Sequence, residues 1–230
     1  MTITAIIEAI PSLLQGLWVT LVLAAISLAL GLILAVCFAA ARWSGPPWLN
    51  YPVLAYTFAT RSTPLLVQLF LVYYGSGQFR LELEAIGLWW FFRDPWNCAL
   101  LTFTLSTAAY TTEILVGGMR AIDRSQLEAA KAYGMSGWIR YKLIVLPQSF
   151  VYALPAYTNE IIFQLQATSL ASLITIVDLT GAAANAANMS FLHYQFYALI
   201  ALVYLAMVYA IIFVLGLVER HLTRFRRIAA

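Results

Sequence analysis

No lysine or arginine occurs in the first 41 residues of this chain, and Glu8 is the one charge there. A cleaved secretory leader opens on a basic segment followed by a short apolar core, so this start is expected to be a retained span. Charge is scarce throughout: Asp, Glu, Lys and Arg make up 10% of 230 residues, against 63% hydrophobic residues and a mean hydropathy of +0.83. An ordinary soluble domain carries about 25% charged residues, and a chain this apolar lacks the polar surface to fold facing water. Its expected solvent is a bilayer. Cysteine and histidine are also rare. Cys37, Cys98, His193 and His221 show no zinc-ligand spacing, and both cysteines fall in apolar stretches, where they read as inert buried thiols. A Gly-x-x-x-x-Gly-Lys-Ser/Thr loop is missing, since Lys131 is followed by Ala132 and Lys142 by Leu143. Hydrolysis of ATP through a phosphate loop is thereby excluded for this chain alone.

What is present is a series of long apolar windows, near residues 17–41, 50–75, 96–118, 141–165 and 194–218. Each reaches the length of about 20 residues that a spanning helix needs. They predict an all-α integral membrane protein with five transmembrane helices and no separate soluble domain. Ahead of them, Ile3, Ile6, Ile7 and Ile10 recur at helical spacing, as in a segment lying flat on the membrane.

The basic residues orient the chain. Arg42 follows the first window, Arg120, Arg124, Lys131, Arg140 and Lys142 lie between the third and fourth, and Arg220, Arg224, Arg226 and Arg227 follow the fifth. If spans alternate, all of these share one side. The other side receives Arg80 and Arg93, offset by Glu82, Glu84 and Asp94, and Arg61 alone falls within a window. The positive-inside rule then places the N-terminus outside and the C-terminus in the cytoplasm. The net charge of +3 reflects this topology and is no signal for nucleic acid. The expected organisation is an external segment 1–12, a transmembrane domain 13–222 containing a cytoplasmic segment 120–142, and a basic tail 223–230.

That cytoplasmic segment carries the most specific pattern. Ser125 to Tyr133 read as a short amphipathic helix rich in small, helix-forming residues, Ala129, Ala130 and Ala132. Gly134 is a natural helix end, and a second short helix is expected from about Ser136 to Tyr141, leading towards Leu146-Pro147. Glu128-Ala129-Ala130, Gly134 six residues after the Glu, Ile144 ten further on and Leu146-Pro147 resemble the cytoplasmic loop of ABC-importer permeases. Arg61-Ser62-Thr63-Pro64-Leu65 resembles the Arg-Gly-Thr-Pro-Leu segment of polar amino acid permeases, with Ser62 where Gly is usual. Ala109-Tyr110-Thr111-Thr112-Glu113-Ile114, Gly117-Gly118-Met119-Arg120, the stretch Ala153 to Glu160 and the stretch Thr168 to Ile174 are similar to further signatures of that family. The resemblance covers residues 61 to about 181 and is strongest to permeases for arginine, ornithine, lysine, histidine and opines.

The resemblance implies a non-catalytic, five-span subunit of the bacterial inner membrane. Its implied partners are a second, non-identical permease, two ATP-binding cassette ATPases and a periplasmic solute-binding protein. It also implies that Glu128, Ala129, Ala130 and Gly134 couple the membrane subunit to an ATPase, whose closure drives alternating access to an amino acid. No cofactor and no metal are expected.

Charge at bilayer depth costs about 2.5–3.5 kcal/mol on insertion scales, so each such residue needs a partner or a purpose. Arg61 and Glu113 read as structural, either as a buried pair or as groups satisfied by backbone carbonyls. Pro64 removes a backbone donor and is expected to kink the second span. Glu160, after Pro155, is the candidate substrate residue, because a carboxylate in a wet cavity pairs with an ammonium or guanidinium group, and the family places its solute cavity near there. Asn159 beside it and Gln164, four residues on, would supply neutral donors and acceptors. Asp178 lies near a span end. The region 167–188, rich in small residues, reads as a re-entrant or external cap, with close packing in lipid an equal reading.

Two rival functions come from other classes. Gly134-Met135-Ser136-Gly137 matches a protease-like Gly-x-Ser-Gly pattern. A serine nucleophile needs a base within hydrogen-bond reach, yet His193 is expected across the membrane and His221 in a charged tail beside Glu219. A passive channel or scaffold would leave the Glu-Ala-Ala spacing unexplained.

Overall fold

A computed structural model describes residues 2–223, and among these every regular element is helical. The tail arginines Arg224, Arg226 and Arg227 lie outside the described residues. The chain opens with α1, Thr2–Ser44, continued by α2, Pro47–Ser62, and α3, Leu65–Gln78. Two short helices, α4 (Arg80–Ala85) and α5 (Trp89–Phe92), lead to α6, Pro95–Arg120. The charged segment after α6 forms α7, Arg124–Ala132, and α8, Gly137–Arg140. A π-helical turn, Tyr141–Val145, runs into α9, Leu146–Ala167, and a 3₁₀ turn, Thr168–Ile174, follows it. The described chain ends with α10, Leu179–Ser190, and α11, His193–Thr223.

Local chemistry sets most of these boundaries. Asp94 accepts a hydrogen bond from the Trp96 amide at 2.9 Å and Pro95 begins α6, a capped start with its missing donor where none is needed. Pro147 has no N–H for the Leu143 carbonyl and its ring crowds that oxygen, and the turn before it widens to π geometry. Asp178 accepts from the Gly181 and Thr180 amides at 2.9 and 3.2 Å and caps α10. The buried carboxylate near a span end is thus a helix cap.

The helices α1 from Thr4 to Trp43, α6, and α11 from His193 to Leu222 are each long and apolar enough to cross a bilayer. A further crossing arises if the pair Gly137–Ile174 and Leu179–Ser190, bent by 51°, counts as one broken span. The window 50–75 is not one helix. It breaks at Thr63 and Pro64, whose backbones are extended, a sharper outcome than a kink. The break is stitched by Gln68, whose Nε2 donates to the carbonyls of Thr60 at 2.7 Å and Thr63 at 3.0 Å, the groups that lose helical partners there. Residues 2–12 are not a separate surface helix, because α1 runs unbroken through Pro11. Cys98 is buried, as expected, but Cys37 lies on the exposed face of α1.

The central helix is α6, which packs against α1, α2, α3 and α9. Glycines make the closest approaches possible: a β-carbon on Gly31 would lie 2.1 Å from Cγ2 of Thr107, and one on Gly118 would lie 2.5 Å from the Ser149 carbonyl oxygen. Small residues at such crossings are how helices associate in lipid, where apolar surface gains nothing by hiding from a solvent equally apolar. Two apolar clusters mark the ends. One joins Ala35 and Ala39 to Met119, Tyr141 and Val145 beside the α7–α8 segment, and the other joins Ala9 and Leu13 to Ala183 and Phe196.

Candidate functional site

Two regions gather the residues singled out by the sequence, and α9 touches both. The first surrounds the break between α2 and α3. A cavity of about 270 Å³ is lined there by Arg61, Ser62, Thr63 and Pro64, by Ser106 and Tyr110 of α6, and by Phe163 of α9. The Arg61 guanidinium lies 5.5 Å from the centroid of the Tyr110 ring, within cation–π range. Tyr110 in turn lies 6.1 Å from Phe163, ring to ring.

Arg61 and Glu113 are not paired. Arg61 lines the cavity with its guanidinium carbon over Tyr110, while Oε1 of Glu113 takes Nη1 of Arg42 at 3.1 Å and the Thr57 hydroxyl at 2.8 Å. The geometry of α6 explains this. Glu113 sits about one turn, ~5 Å, beyond Tyr110 towards the end of α6, level with the last turn of α1 that holds Arg42. Counting Arg42 as a loop charge hid this partner from sequence reasoning, although it closes α1 as a basic last-turn residue.

The three residues expected to meet solute separate by face. Glu160 is 6% exposed and Gln164 1% exposed, both turned inward from α9 as their four-residue spacing requires. Gln164 gives its amide to the Ser27 hydroxyl of α1 at 2.9 Å, while its Oε1, Oε1 of Glu160 and the hydroxyl oxygens of Thr104, Thr107 and Thr111 have no partner among the described residues. Buried oxygens without partners are costly, and this row along α6 and α9 is the polar seam of an otherwise apolar interior. Asn159 does not join it. One residue is about 100° of helix, and Asn159 falls on the outer face of α9 with Pro155, Phe163 and Gln166, all exposed.

The second region is the segment of α7 and α8. Asp123 caps α7 by accepting from the Ser125 amide at 2.9 Å, and that hydrogen bond holds its carboxyl below the usual range. Gly134, at φ +75°, ends α7 in a left-handed turn. The Met135 amide donates to Ala130 and the Gly134 amide to Lys131, at 3.1 and 3.0 Å, the paired pattern of a Schellman end. Ser136 caps α8, its Oγ accepting from the Ile139 amide at 3.4 Å, so the serine of the protease-like pattern has a structural occupation. Glu128 and Ala129 are exposed, whereas Ala130 is buried and turns away from any partner surface. The segment is tied down: Leu127 packs on the cluster around Met119, and Gln148 of α9 donates to Gln126 of α7 at 2.9 Å.

Comparison with known proteins identifies the chain. Residues 27–227 match the family model described as "Binding-protein-dependent transport system inner membrane component". The chain belongs to this family and is a multi-pass integral membrane permease. It is 48% identical over 174 residues to the nopaline transport system permease protein NocM of Agrobacterium fabrum, covering 76% of this chain and 72% of that one. It is 42% identical over 160 residues to the histidine/lysine/arginine/ornithine transport system permease protein HisM of Escherichia coli K12, covering 68% and 66%. Among solved structures, one titled "Crystal structure of an amino acid ABC transporter with histidines" matches with a TM-score of 0.83 at 28% identity, over 95% of this chain and 97% of that one.

Proposed function

We propose that this chain is one half of the membrane pathway of an ATP-driven importer for polar, basic amino acids or opines in a bacterial inner membrane. Its partners are a second, non-identical permease, two ATP-binding cassette ATPases and a periplasmic binding protein. The chain crosses the membrane five times, by α1, the broken pair α2–α3, α6, α9 and α11, with its N-terminus outside. The two end clusters support this alternation, because each gathers helix ends that it assigns to one side. The domain limits 1–12, 13–222 and 223–230 follow from the same reading.

The observation that carries the proposal is the construction of α9. Gln148 near its start is bonded to the coupling segment, and Glu160 and Asn159 lie about 18 Å further along the same helix. Closure of the ATPases pushes on Glu128, Ala129 and the turn at Gly134, with Ala130 holding the knob against the permease. Rigid motion of α7 through Gln126, Leu127 and Gln148 then re-orients α9 against α6, the kind of helix shift by which packed proteins switch. Arg61, held over Tyr110, takes the solute carboxylate, and Glu160 supplies the opposite charge for its cation. Asn159 and the amide of Gln164 add neutral contacts on the outer and inner faces of α9. The pair Arg42–Glu113 keeps α1 and α6 together through the motion.

The test is ATP hydrolysis by the reconstituted complex, stimulated by liganded binding protein. Glu128→Arg is expected to abolish stimulation, and Glu160→Gln to weaken it at least tenfold for basic solutes while sparing neutral ones. Full stimulation in Glu128→Arg would refute the coupling assignment, and an unchanged solute preference in Glu160→Gln would remove Glu160 from the pathway.

A further inference from the structure

Arg61 forms no ion pair among the described residues, and it is exposed at the cavity it lines. Contact with the Tyr110 ring is a weak hold for an exposed cation. Its place beside α6 is therefore set by the backbone that carries it. That backbone is the α2–α3 break, and Thr60 and Thr63 flank Arg61 in the cavity lining. In an unbroken helix the Thr60 carbonyl would accept from the amide of residue 64, but Pro64 has no N–H to give. Gln68 supplies the missing donor. Its Nε2 lies 2.7 Å from the Thr60 carbonyl, 3.0 Å from the Thr63 carbonyl and 2.8 Å from the Thr63 hydroxyl. That hydroxyl in turn donates to the Ala59 carbonyl at 3.1 Å. The next residue, Leu69, is fully buried with Leu23 of α1 and Phe103 of α6, so the helix that carries Gln68 is itself anchored on α6.

We infer that Gln68 is a positioning residue for solute recognition: it sets where Arg61 stands, and thereby how tightly a solute carboxylate is held. The inference rests on the proposed role of Arg61 in taking that carboxylate. Gln68 itself touches no solute. It carries the anchoring of α3 on α6 back across the break to the residues on either side of Arg61, so that the guanidinium faces Tyr110 from a fixed height. A methionine at this position would have the same reach and no donor. The Thr60 and Thr63 carbonyls would then turn to water in the cavity, because backbone oxygens without partners are costly at membrane depth. Arg61 would move with them, while α3 stayed packed through Leu69.

Binding of arginine and of agmatine, which is arginine without its carboxylate, to the assembled complex tests this. The unaltered complex is expected to bind arginine about tenfold tighter than agmatine, because only arginine uses Arg61. Gln68→Met is expected to weaken arginine binding about tenfold and to leave agmatine within about twofold. General damage to folding would weaken both alike. Hydrogen exchange of the same complex is expected to quicken about fivefold over residues 60–63 and to stay unchanged in α6. Equal losses for the two ligands, no loss for arginine, or unchanged exchange over residues 60–63 would each overturn the assignment. Failure of the solute reading registers separately. An unaltered complex that does not prefer arginine to agmatine would remove Arg61 from solute recognition, and the role of Gln68 with it.

Discussion

Helices α6 and α11 both qualify as spans, yet 67% of the most apolar window of α6 is buried within the protein and only 6% of that of α11. The more buried helix is the more polar one. Its buried face carries Thr102, Thr104, Ser106, Thr107, Thr111 and Thr112, whereas α11 shows Leu202, Leu205, Tyr209, Ile212 and Phe213 to the outside. In water this ordering would be reversed. In a bilayer, apolar side chains are content facing lipid, and helices are drawn together by close packing of small residues and by polar groups that lipid cannot satisfy. Hydropathy in such a chain therefore reports contact with lipid, and burial must be sought in the small and hydroxylated residues.

Substitutions should split along the same line. The largest effect is expected from Arg42→Met, which strands Glu113 between α1 and α6. With the Arg42 side chain 8% exposed and that of Glu113 21% exposed, the loss should be about 3 kcal/mol. The double change Arg42→Met with Glu113→Leu should recover most of it. Thermal unfolding in detergent, read by labelling of the buried Cys98 thiol in a Cys37→Ser background, measures both. A double variant as unstable as the single one would show that the pair does more than satisfy itself.

Packing gives the next contrast. Gly118→Ala pushes a methyl group against backbone and should cost about 1–3 kcal/mol, whereas Gly216→Ala on α11, with open space around it, should stay within about 0.5 kcal/mol. Leu115→Ala on α6 leaves a cavity and should cost about 2–3 kcal/mol, against a near-neutral Leu205→Ala on α11, where lipid or detergent fills the gap. If the α11 variants instead weaken co-purification of a second permease, that outer face is the subunit interface and the contrast is between two kinds of protein contact.

The smallest effect belongs to the segment below α6. Ser136→Ala removes only a long cap bond and should cost at most about 1 kcal/mol, with solute-stimulated ATP hydrolysis retained. Loss of all activity with the fold intact would revive the serine as a nucleophile.

The α7–α8 segment was largely legible in the sequence because its structure is made locally. Asp123, Gly134 and Ser136 each act on neighbours within a few residues, and the two short helices fall where those residues put them. That Glu160 and Gln164 share one helix face also followed from helical spacing alone. The partner of Glu113 was not legible, because Arg42 lies 71 residues away and only the packing of α1 on α6 brings it near. Ala130 facing inward, Asn159 facing outward and the break at Thr63-Pro64 held by Gln68 were hidden for a related reason. Each depends on which side of a helix meets a neighbour or on how freed backbone groups are reclaimed.

Sequence by itself determined that this protein is helical, lives in a bilayer, and carries one charged, capped knob among apolar spans. Those properties follow from composition, periodicity and short-range capping, which act along the chain. Tertiary structure alone decided that the least apolar span is the centre, that Arg42 and not Arg61 neutralises Glu113, and that Arg61 stands over the Tyr110 ring. These are contacts between distant segments, set by how closely Gly31 and Gly118 let backbones approach, and no local rule encodes them.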